Sequence, residues 1–460
     1  MLVLAGGKGT RMRSAQAKVL HTALGLALLE HVLRSLSTLA ADPVVVVVGH
    51  QAAAVEEAFS GRDLLFVRQE PQLGSGHAAQ VAAAALARHA DRPVVVVGGD
   101  TPLLRGETLE RLLAHHAARR KAATLLTARV NDTGAYGRVA RGSDGSVTGI
   151  TEAAVAGEGG GGPGEINAGV YVFDANALLS TLGQLDNRNA QGEYYLTDVV
   201  GLLVAAGQGV EGVAVEDPSE VLGVNTLEEL AGVSEILRRR RLSALMAAGV
   251  VIESPDTVSV SLDSTVEPGA VLRAFTCIEG RSAVASEARV GPFVRLEDSA
   301  VGVGAEILDH CLLRSSVIGA GASIGPFAHV RPDSRIGERC RVGNFVELKK
   351  TELGEGSKAP HLSYLGDSTI GPRVNVGAGT ITCNYDGASK HPTRIEGGAF
   401  IGSNATLVAP LTVGEGAYIG AGSVVTEDVP ADALALGRAR QVVKPGWAGE
   451  RRRRLAKGKA

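Results

Sequence analysis

The chain has 460 residues and a formal net charge of −3 at pH 7, and sixty of its residues are glycine. The length predicts two to four domains, and the near-balanced charge gives no general case for nucleic-acid binding. No apolar run approaches the roughly 18 residues of a membrane span. With no signal peptide pattern at Met1 either, we expect a cytoplasmic protein without nucleic-acid or membrane partners.

The first 225 residues alternate short apolar runs with helical patterns. The predicted strands are Leu2–Ala5, Val44–Val48, Leu64–Val67, Val94–Val97 and Ala123–Thr127. The predicted helices between them are Leu28–Leu39, Ala52–Phe59, Gly76–His89 and Glu107–Arg119. Strands that are apolar throughout and alternate with helices predict a parallel sheet buried on both faces. In such a sheet, ligands bind beyond the carboxyl ends of the strands.

A glycine-rich loop, Gly6–Met12, follows the first predicted strand. Its glycines would let backbone N–H groups approach phosphate oxygens, and Lys8 or Arg11 could neutralise charge. The loop is neither a Walker motif nor GxGxxG, so a simple tight turn is the alternative.

Asp100 follows the fourth predicted strand. There a carboxylate could join Mg²⁺ to nucleotide phosphates, although it could instead cap a helix over the following TPLL segment. Other polar groups also lie near strand ends, and each of them on its own could be a turn or cap residue. They are Gln69, the Leu73–Ala78 turn, Tyr136–Arg138, Glu152, Asn167 and Asn225.

Apolar residues at helical spacing over Thr226–Ala248 predict one long helix that connects two domains, or else a surface helix of the first domain. The basic run Arg238–Arg241 in this segment and the run Arg451–Arg454 near the end are typical of a solvated helix or tail.

An aliphatic residue recurs every six positions in the second half, at Ile318, Ile324, Val330, Ile336 and Val342. This period fits neither a helix nor a simple strand, and it predicts a left-handed parallel β-helix. The repeat also covers 260–296 and 395–425, slips between 297 and 317, and is interrupted over 383–394. Four cysteines without CxxC spacing are expected to be free thiols.

Polar residues cluster on two or three successive predicted coils. Arg331 replaces the glycine of its repeat unit, and we expect it to be exposed to solvent or to bind phosphate bidentately. Lys349, His361, Tyr364 and Asn375 follow. A lone histidine on such a coil is usually a turn residue, but five polar groups beside the Cys383–Thr393 excursion predict a cleft.

Motifs over nearly the whole chain resemble a known family. LAGGKGTRM, Lys18, GSGHA, GGD, YGR, EINAG, QGEYYLTD and GVN occur in the order of sugar-phosphate nucleotidyltransferases. With GNFVELKK and TITCNYDG behind them, the chain resembles the bifunctional N-acetylglucosamine-1-phosphate uridyltransferase/glucosamine-1-phosphate acetyltransferase family. The resemblance implies a Rossmann-like uridyltransferase domain over 1–225, a helical linker over 226–249 and a β-helical acetyltransferase domain over 250–460. It also implies a homotrimer with Mg²⁺, UTP and acetyl-CoA.

The resemblance also implies roles in uridyl transfer. Arg11 and Lys18 would contact phosphates, and Asp100 and Asn225 would hold Mg²⁺. The uracil and ribose would lie against Leu4, Ala5, Gly6, Gly7, Gln69, Gly74 and Ser75, with Gly98 and Gly99 beside the nucleotide, and the sugar would lie against Gly137, Glu152 and Asn167.

For acetyl transfer, the resemblance makes His361 the general base that takes a proton from the sugar amine. The acceptor would lie against Arg331, Lys349, Tyr364, Asn375 and Lys390, and acetyl-CoA against Ala378, Asn384, Tyr385, Ser403, Ala421 and Arg438.

Four positions depart from the family pattern. Gly98 replaces a tyrosine, Ala17 a proline and Pro360 a glycine, while Ala153–Gly164 is a glycine-rich run where relatives are charged. Gly98, Ala17 and the glycine-rich run remove no charge needed for phosphoryl transfer, so we interpret them as tuning. Pro360 restricts the approach to His361 but leaves its imidazole. Two alternatives remain at this stage: a monofunctional nucleotidyltransferase with a structural or regulatory β-helix, and a non-catalytic trimeric scaffold that binds sugar nucleotide.

Overall fold

A computed structural model describes residues 1–39, 43–134, 136–152, 162–189 and 191–457. The chain forms two compact units, Met1–Arg240 and Arg241–Ala460. The first is an α/β unit and the second is built from short parallel strands. The fold class predicted from the sequence is therefore confirmed.

The nine described strands of the main sheet of the first unit include all five predicted ones, whose ends differ from the prediction by at most three residues, and a separate small sheet pairs Thr22–Ala23 with Leu26–Ala27. The strands of the main sheet are numbered in chain order. They are β1 (Leu2–Ala5), β2 (Val45–Val48), β3 (Leu65–Arg68), β4 (Val94–Gly98), β5 (Ala123–Val130), β6 (Arg138–Arg141), β7 (Val147–Thr151), β8 (Gly164–Phe173) and β9 (Val210–Ala214). Its helices are α1 (Leu28–Leu36), α2 (Ala52–Ala58), α3 (Ser75–Leu86), α4 (Gly106–Arg119), α5 (Ala175–Leu182) and α6 (Thr197–Ala205). Short 3₁₀ turns include Thr10–Met12 and Lys18–Leu20.

The strand order in the sheet is β9–β5–β8–β4–β1–β2–β3. Strand β8 is antiparallel to both β4 and β5, whereas the other neighbours along this path are parallel. The five predicted strands, β1 to β5, are therefore parallel to one another as predicted, and β8, which was not predicted, lies antiparallel between β4 and β5. The chain reaches β8 from β5 through the antiparallel β6–β7 pair, and a direct return of this kind gives antiparallel pairing, because a parallel strand needs a crossover connection.

Alternate residues of the central strands enter two different apolar cores. Val46 and Val48 belong to one core and Val45 and Val47 to the other, and all four are fully buried. This alternation confirms that the sheet is covered on both faces, as continuous valine runs predict.

Helix α7 (Leu227–Ala247) contains the point where the two units divide. Val233 and Leu237 pack into a core cluster of the first unit, with Met12 and Leu103. Leu242 and Leu245 belong to the core of the second unit. One continuous helix therefore contributes apolar side chains to both cores.

The strands of the second unit form three parallel ladders. The first ladder contains Val251–Ile252, Val271–Leu272, Arg289–Val290, Glu306–Ile307, Ser323–Ile324, Arg341–Asn344, Lys358–His361, Asn375–Val376, Phe400–Ile401, Tyr418–Ile419 and Leu434–Ala435. The second contains Ser259–Val260, Cys277–Glu279, Arg295–Glu297, Leu312–Arg314, His329–Val330, Glu347–Leu353, Tyr364–Ile370, Ile381–Cys383, Thr406–Val408 and Val424–Val425. The third contains Thr265–Val266, Ala283–Val284, Ala300–Val301, Ser316–Ile318, Ser334–Ile336, Thr393–Ile395 and Leu411–Val413. The strands Glu347–Leu353 and Tyr364–Ile370 turn the corner and belong to both the second and third ladders.

Strand register explains the irregularities of the repeat. Cys277 pairs with Arg295, eighteen positions later, whereas Arg289 pairs with Glu306, only seventeen later. The predicted slip between 297 and 317 is thus a set of coils one residue shorter. Ser368 pairs with Thr393, twenty-five positions later, so the predicted interruption is an excursion inserted into one coil.

The aliphatic residues of the repeat form a continuous buried core. The four cysteines are free, as predicted. Beyond the coils, helix α8 (Trp447–Lys457) carries the second basic run and its side chains are exposed. In the part of the chain that the structure describes, no helix is long and apolar enough to cross a membrane.

Candidate active sites

A cleft of about 670 Å³ opens beyond the carboxyl ends of β1, β3 and β4 in the first unit. It brings together most of the residues predicted for uridyl transfer: Leu4, Ala5, Gly6, Gly7, Arg11, Lys18, Gln69, Gly74, Ser75, Gly98, Asp100, Glu152, Asn167 and Asn225. Lys8, also proposed from the glycine loop, lies in the same wall. The parallel strands determine this position, because their carboxyl ends meet at one edge of the sheet.

Gly99 and Gly137, also predicted for uridyl transfer, do not line this cleft but adjoin residues that do. The N–H of Gly99 donates to Leu4 O at 2.9 Å, which ties the end of β4 to β1. A Cβ atom on Gly137 would lie 3.0 Å from a methyl group of Ile150 and 3.6 Å from Oε2 of Glu152. Both positions favour glycine for packing of the cleft wall.

The buried Gln69 side chain joins the two glycine turns of the cleft. Its Nε2 donates to Gly74 O at 2.9 Å, and a Cβ atom on Gly6 would come within 2.7 Å of its Oε1. Nearby, the N–H of Leu196 donates to the Ser75 hydroxyl at 3.0 Å. The turn before α3 is therefore held by the QGEYYLTD segment as well as by Gln69.

The four residues predicted to contact phosphate and metal form one connected cluster. The Lys18 ammonium is paired with Asp100 and also donates to Oδ1 of Asn225 at 3.2 Å. The Arg11 guanidinium donates to the same Asn225 oxygen at 3.0 Å. The alternative role of Asp100 as the cap of a helix over TPLL is wrong, because the next helix begins at Gly106 and Arg105 precedes it.

The residues present fit a magnesium ion bound together with phosphates. One oxygen of Asp100 and one of Asn225 both accept hydrogen bonds from the Lys18 ammonium. A cation therefore already lies between two oxygen atoms of the kind that Mg²⁺ prefers as ligands. Within the described residues, no group of three or more His, Cys, Asp or Glu could hold a metal alone. Mg²⁺ commonly takes only one or two protein ligands and fills the rest of its shell with water and phosphate oxygens.

Hydrogen bonds also hold the residues proposed to contact the sugar. Thr197 Oγ1 donates to Glu152 at 2.6 Å, and Nδ2 of Asn167 donates to the Tyr171 hydroxyl at 2.7 Å. Burial raises the pKa of Tyr171, so this phenol stays neutral.

The sequence interpretation missed Tyr171, Gln72, Glu193 and Tyr195, which also line the cleft. The QGEYYLTD motif already contained the last two, and Tyr171 could have been found from its position four residues after Asn167 in the same strand.

The structure accounts for two departures from the family pattern. A Cβ atom on Gly98 would come within 2.7 Å of Oδ1 of Asp100, so any side chain there would displace this carboxylate from its present position. The N–H of Ala17 donates to Oε1 of Gln51 at 2.8 Å, a bond that proline could not make. Residues 153–161 of the glycine-rich run lie outside the described residues.

The second unit carries a cluster of cationic side chains on neighbouring coils. The N–H of Arg331 donates to Leu348 O, so Arg331 and Lys349 occupy adjacent coils, and the guanidinium of Arg331 donates to Glu347 at 2.8 Å. The side chain of Lys349 in turn adjoins Lys390 of the excursion, and hydrogen bonding and charge repulsion from Lys349 lower the pKa of Lys390. Two adjacent ammonium groups form a site suited to a phosphate dianion.

His361 ends a strand on the coil that follows Asn344. The two residues are direct partners in the parallel ladder, and Nδ1 of His361 lies 2.9 Å from Oδ1 of Asn344. Because an amide oxygen only accepts, Nδ1 must carry the proton and Nε2 keeps its lone pair. Asn344 is a further residue that sequence reasoning missed, although it lies in the GNFVELKK motif. Pro360, the third departure, leaves this imidazole in place.

The excursion presents its polar groups beside Tyr364. Asn384 is buried, bonds to Asp367 and donates to the Tyr364 hydroxyl at 3.5 Å. Tyr385 and Lys390 bridge the excursion as an antiparallel pair. Backbone N–H groups of Ser389 and Ala388, together with His391, lower the pKa of Asp386, so its carboxylate braces the turn.

The residues predicted for acetyl-CoA fall on successive coils. Asn404 N–H donates to Ala378 O at 2.7 Å and Gly422 N–H donates to Ser403 O at 2.8 Å, so the corner containing Ala378 is stacked below the corners of Ser403 and Ala421. Arg438 is exposed and follows the last strand of the same ladder, while Asn375 pairs with Lys358 and Phe400 in that ladder.

Each of the two units contains a match to a different family model. Residues 1–193 match the MobA-like NTP transferase domain. Residues 315–350 and 392–427 match the bacterial transferase hexapeptide (six repeats) family. The gap between the two hexapeptide segments contains His361 and the excursion, where the repeat departs from its pattern.

Full-length relatives cover both units. A bifunctional protein GlmU from Exiguobacterium sp. is 45% identical over 451 residues, covering 97% of this chain and 98% of the relative. Those from Koribacter versatilis and Nitratidesulfovibrio vulgaris are 43% and 47% identical, covering 99% and 96% of this chain and 98% and 97% of the relatives. A crystal structure of HddC from Yersinia pseudotuberculosis aligns with a TM-score of 0.39 at 16% identity, covering 51% of this chain and 98% of that one.

Proposed function

Because the chain belongs to the GlmU family of bifunctional proteins, we propose that its β-helix acetylates glucosamine 1-phosphate with acetyl-CoA. Its α/β unit then transfers UMP from UTP to the product, N-acetylglucosamine 1-phosphate, which yields UDP-N-acetylglucosamine and pyrophosphate for cell-envelope synthesis. The observation that carries this proposal is that each unit has its own charged site, one at Lys18 and Asp100 and the other at Lys349 and Lys390, with Arg331 on the adjacent coil.

A monofunctional nucleotidyltransferase with a merely structural β-helix does not account for the second site. It gives no reason for an imidazole oriented by Asn344 at His361, or for the adjacent lysines Lys349 and Lys390 in the same unit. The relatives also match over the whole of both units. A non-catalytic scaffold that only binds sugar nucleotide does not account for the charged groups of both sites, which are all present: Arg11, Lys18 and Asp100 in the first unit and Arg331, Lys349 and Lys390 in the second.

In uridyl transfer, a phosphate oxygen of N-acetylglucosamine 1-phosphate attacks the α-phosphorus of UTP, and the bond to the β-phosphate breaks to release pyrophosphate. The step needs little proton transfer, so the protein contributes alignment and charge neutralisation. Lys18 and Arg11 neutralise phosphate oxygens, while Gln69 and the glycine turns orient the uracil. Glu152 and Asn167, held by Thr197 and Tyr171, orient the sugar.

Asp100 and Asn225 would hold Mg²⁺, which when bound supplies charge stabilisation to the phosphate oxygens. Lys18 now contacts both of these oxygens. Its flexible stem lets the ammonium swing to a phosphate once the carboxylate is neutralised by another cation. Uridyl transfer should therefore require a divalent cation and stop on addition of a chelator, while acetyl transfer continues.

In acetyl transfer, the amine of glucosamine 1-phosphate attacks the thioester carbonyl of acetyl-CoA, and the coenzyme A thiol leaves. Nε2 of His361 takes the proton that the amine loses, because Nδ1 is already committed to Asn344. Arg331, Lys349 and Lys390 hold the phosphate of the acceptor, and Tyr364 and Asn375 complete its site. Asn384 and Tyr385 lie near the reacting groups, and Ala378, Ser403, Ala421 and Arg438 bind the coenzyme.

We further propose that the protein is a homotrimer assembled through the β-helix and works in the cytoplasm, where UTP and acetyl-CoA are available. The hexapeptide match supports an oligomer of this kind. The acetyl-transfer site would then lie between chains. Sedimentation equilibrium or light scattering of the full chain tests the trimer directly, since a monomeric mass under assay conditions contradicts it.

Two substitutions test whether each unit carries one of the two reactions. Purified protein is supplied with glucosamine 1-phosphate, acetyl-CoA, UTP and Mg²⁺, and release of thiol and of pyrophosphate is measured separately. Asp100→Ala should abolish pyrophosphate release from UTP and N-acetylglucosamine 1-phosphate while thiol release is unchanged. His361→Ala should do the opposite. Wild-type protein that releases only one product would reduce the function to a single unit.

A further inference from the structure

The segment before Lys18 is fastened by the side-chain amide of one residue from another loop. Oε1 of Gln51 accepts the N–H of Ala17 at 2.8 Å, and Nε2 of Gln51 donates to the carbonyl of Ala15. These two hydrogen bonds hold the backbone on both sides of Gln16. Ala15 and Gln16 are exposed, and residues 13–17 belong neither to a helix nor to a strand, so side-chain bonds of this kind restrict the segment directly.

We propose that Gln51 is a positioning residue for Lys18 and that it acts by holding the backbone of Ala15–Ala17. The proposal rests on the uridyl transfer proposed above. Lys18 is the next residue along the chain and begins a 3₁₀ turn in which Leu20 N–H donates to Ala17 O at 2.9 Å. The bonded Ala17 backbone is therefore the point from which the lysine stem projects towards Asp100 and Asn225.

Gln51 is itself fixed to the cleft wall. It lies between β2, which is wholly buried, and α2, and its backbone has φ 53° and ψ 39°, a left-handed conformation that non-glycine residues seldom adopt. The adjacent N–H of His50 donates to Gly6 O at 3.3 Å. The amide that holds Ala17 is therefore anchored to the same backbone that supports the glycine loop.

The backbone of Ala17 explains why a hydrogen-bonded amide is useful here. Its φ of −54° lies in the range that proline would fix covalently, but alanine leaves this angle free to vary in solution. Gln51 restricts it through a bond to the N–H that alanine retains. A misplacement of a positioning group by about 1 Å can cost up to roughly 100-fold in rate, so a loose Ala17 would reduce the effect of Lys18.

The test compares Gln51→Ala with wild-type full-length protein in both assays. We expect kcat/KM for uridyl transfer to fall by about ten- to a hundredfold, while acetyl transfer in the same preparation is unchanged. Gln51→Glu keeps the acceptor for the N–H of Ala17 but removes the donor to the carbonyl of Ala15, so its uridyl transfer should fall less than that of Gln51→Ala. Gln208→Ala, at an exposed glutamine after α6, is the matched control and should leave uridyl transfer as in wild type.

Two double variants separate positioning from general stability. Ala17→Pro should restore at least half of the lost activity, on a logarithmic scale, in the Gln51→Ala protein, since proline fixes φ near the observed value without the N–H. In a Lys18→Met background, Gln51→Ala should not lower uridyl transfer further. A residue that acts only by positioning Lys18 has no effect on the rate once the charge of Lys18 has been removed. Additive losses in that background would overturn the proposal.

The remaining outcomes are also decisive. The proposal is overturned if uridyl transfer by the Gln51→Ala protein is within twofold of wild type. It is also overturned if the loss of uridyl transfer is explained by a lower unfolding temperature and is not reversed by Ala17→Pro. Wild-type protein that releases no pyrophosphate overturns the proposed function first, and the two failures are thereby distinguished.

Discussion

Oδ1 of Asn344 lies 2.9 Å from Nδ1 of His361 on the next coil, and the two residues are paired in the parallel ladder. This contact fixes the tautomer that leaves Nε2 free to accept a proton. We predict that Asn344→Leu, which removes the acceptor at similar volume, lowers kcat of acetyl transfer by roughly 100-fold, in the range of general base catalysis. The KM values should change little. Asn344→Asp keeps the acceptor oxygen and should retain more activity; equal losses in both variants would contradict an orienting role.

Lys18 is the cation shared by Asp100 and Asn225. Lys18→Met keeps the length of the side chain but removes its charge, and we expect kcat/KM for uridyl transfer to fall by about 100- to 1000-fold, as for loss of one charge-stabilising donor. Lys18→Arg is the matched control for charge and should recover part of the activity. Acetyl transfer, measured by thiol release, should be unaffected by both substitutions.

The lowered pKa of Lys390 predicts a pH dependence of phosphate binding. Lys349 favours the neutral form of Lys390, whereas a bound phosphate dianion favours the charged form, so binding raises the pKa and takes up protons. Affinity should be constant below the lowered pKa of the free site and weaken as pH rises through the pKa of the complex. Calorimetry with N-acetylglucosamine 1-phosphate, which has no titrating amine, measures this in protein whose first-unit cleft has been saturated with UDP-N-acetylglucosamine.

A lysine substitution provides the control for this pH effect. Lys349→Met removes the repulsion, so the pKa of Lys390 should return towards its ordinary value and the decline in affinity should begin at higher pH. Binding should also weaken at every pH, because one cation has been lost. An unchanged pH profile in this variant would show that the two lysines are not coupled.

Gly343 lies directly beneath Pro360, the residue before the proposed base. A Cβ atom on Gly343 would be 1.8 Å from the carbonyl oxygen of Pro360, and because this contact is with backbone it cannot be relieved by a rotamer change. We predict that Gly343→Ala destabilises the second unit by about 3 kcal/mol, at the upper end of ordinary overpacking costs, and abolishes acetyl transfer. Gly356→Ala should cost less, because a Cβ there has only an arginine side chain within 4 Å, and its cost should come from the φ of 69°, which disfavours any residue other than glycine.

Much of the fold follows from local patterns in the sequence. Valine runs at Val45–Val48 and Val94–Val97 alternate between two cores, as their continuous apolarity predicts. The period of six gives the coils, and its interruption after Cys383 is an excursion with Tyr385 and Lys390 at its base. Such patterns are readable because each position repeats the same local environment.

Other features required the tertiary structure. The sequence did not indicate that β8 runs antiparallel, that Tyr171 supports Asn167, or that the amide of Gln51 grips the segment before Lys18. Each depends on which segments meet in space and in which direction, and hydrophobic periodicity carries no information about that.

The repeat by itself determined that this half of the chain is a β-helix, and the family motifs predicted which residues would carry the chemistry. Only the tertiary structure decided that Asn344 lies opposite His361. Seventeen residues separate them, so their pairing depends on the length of one particular coil. In a coil of eighteen residues, as at Cys277 and Arg295, the position opposite Asn344 would belong to Leu362. A hydrogen bond between neighbouring coils needs registry to within one residue, and the chain sets that registry only when it is folded.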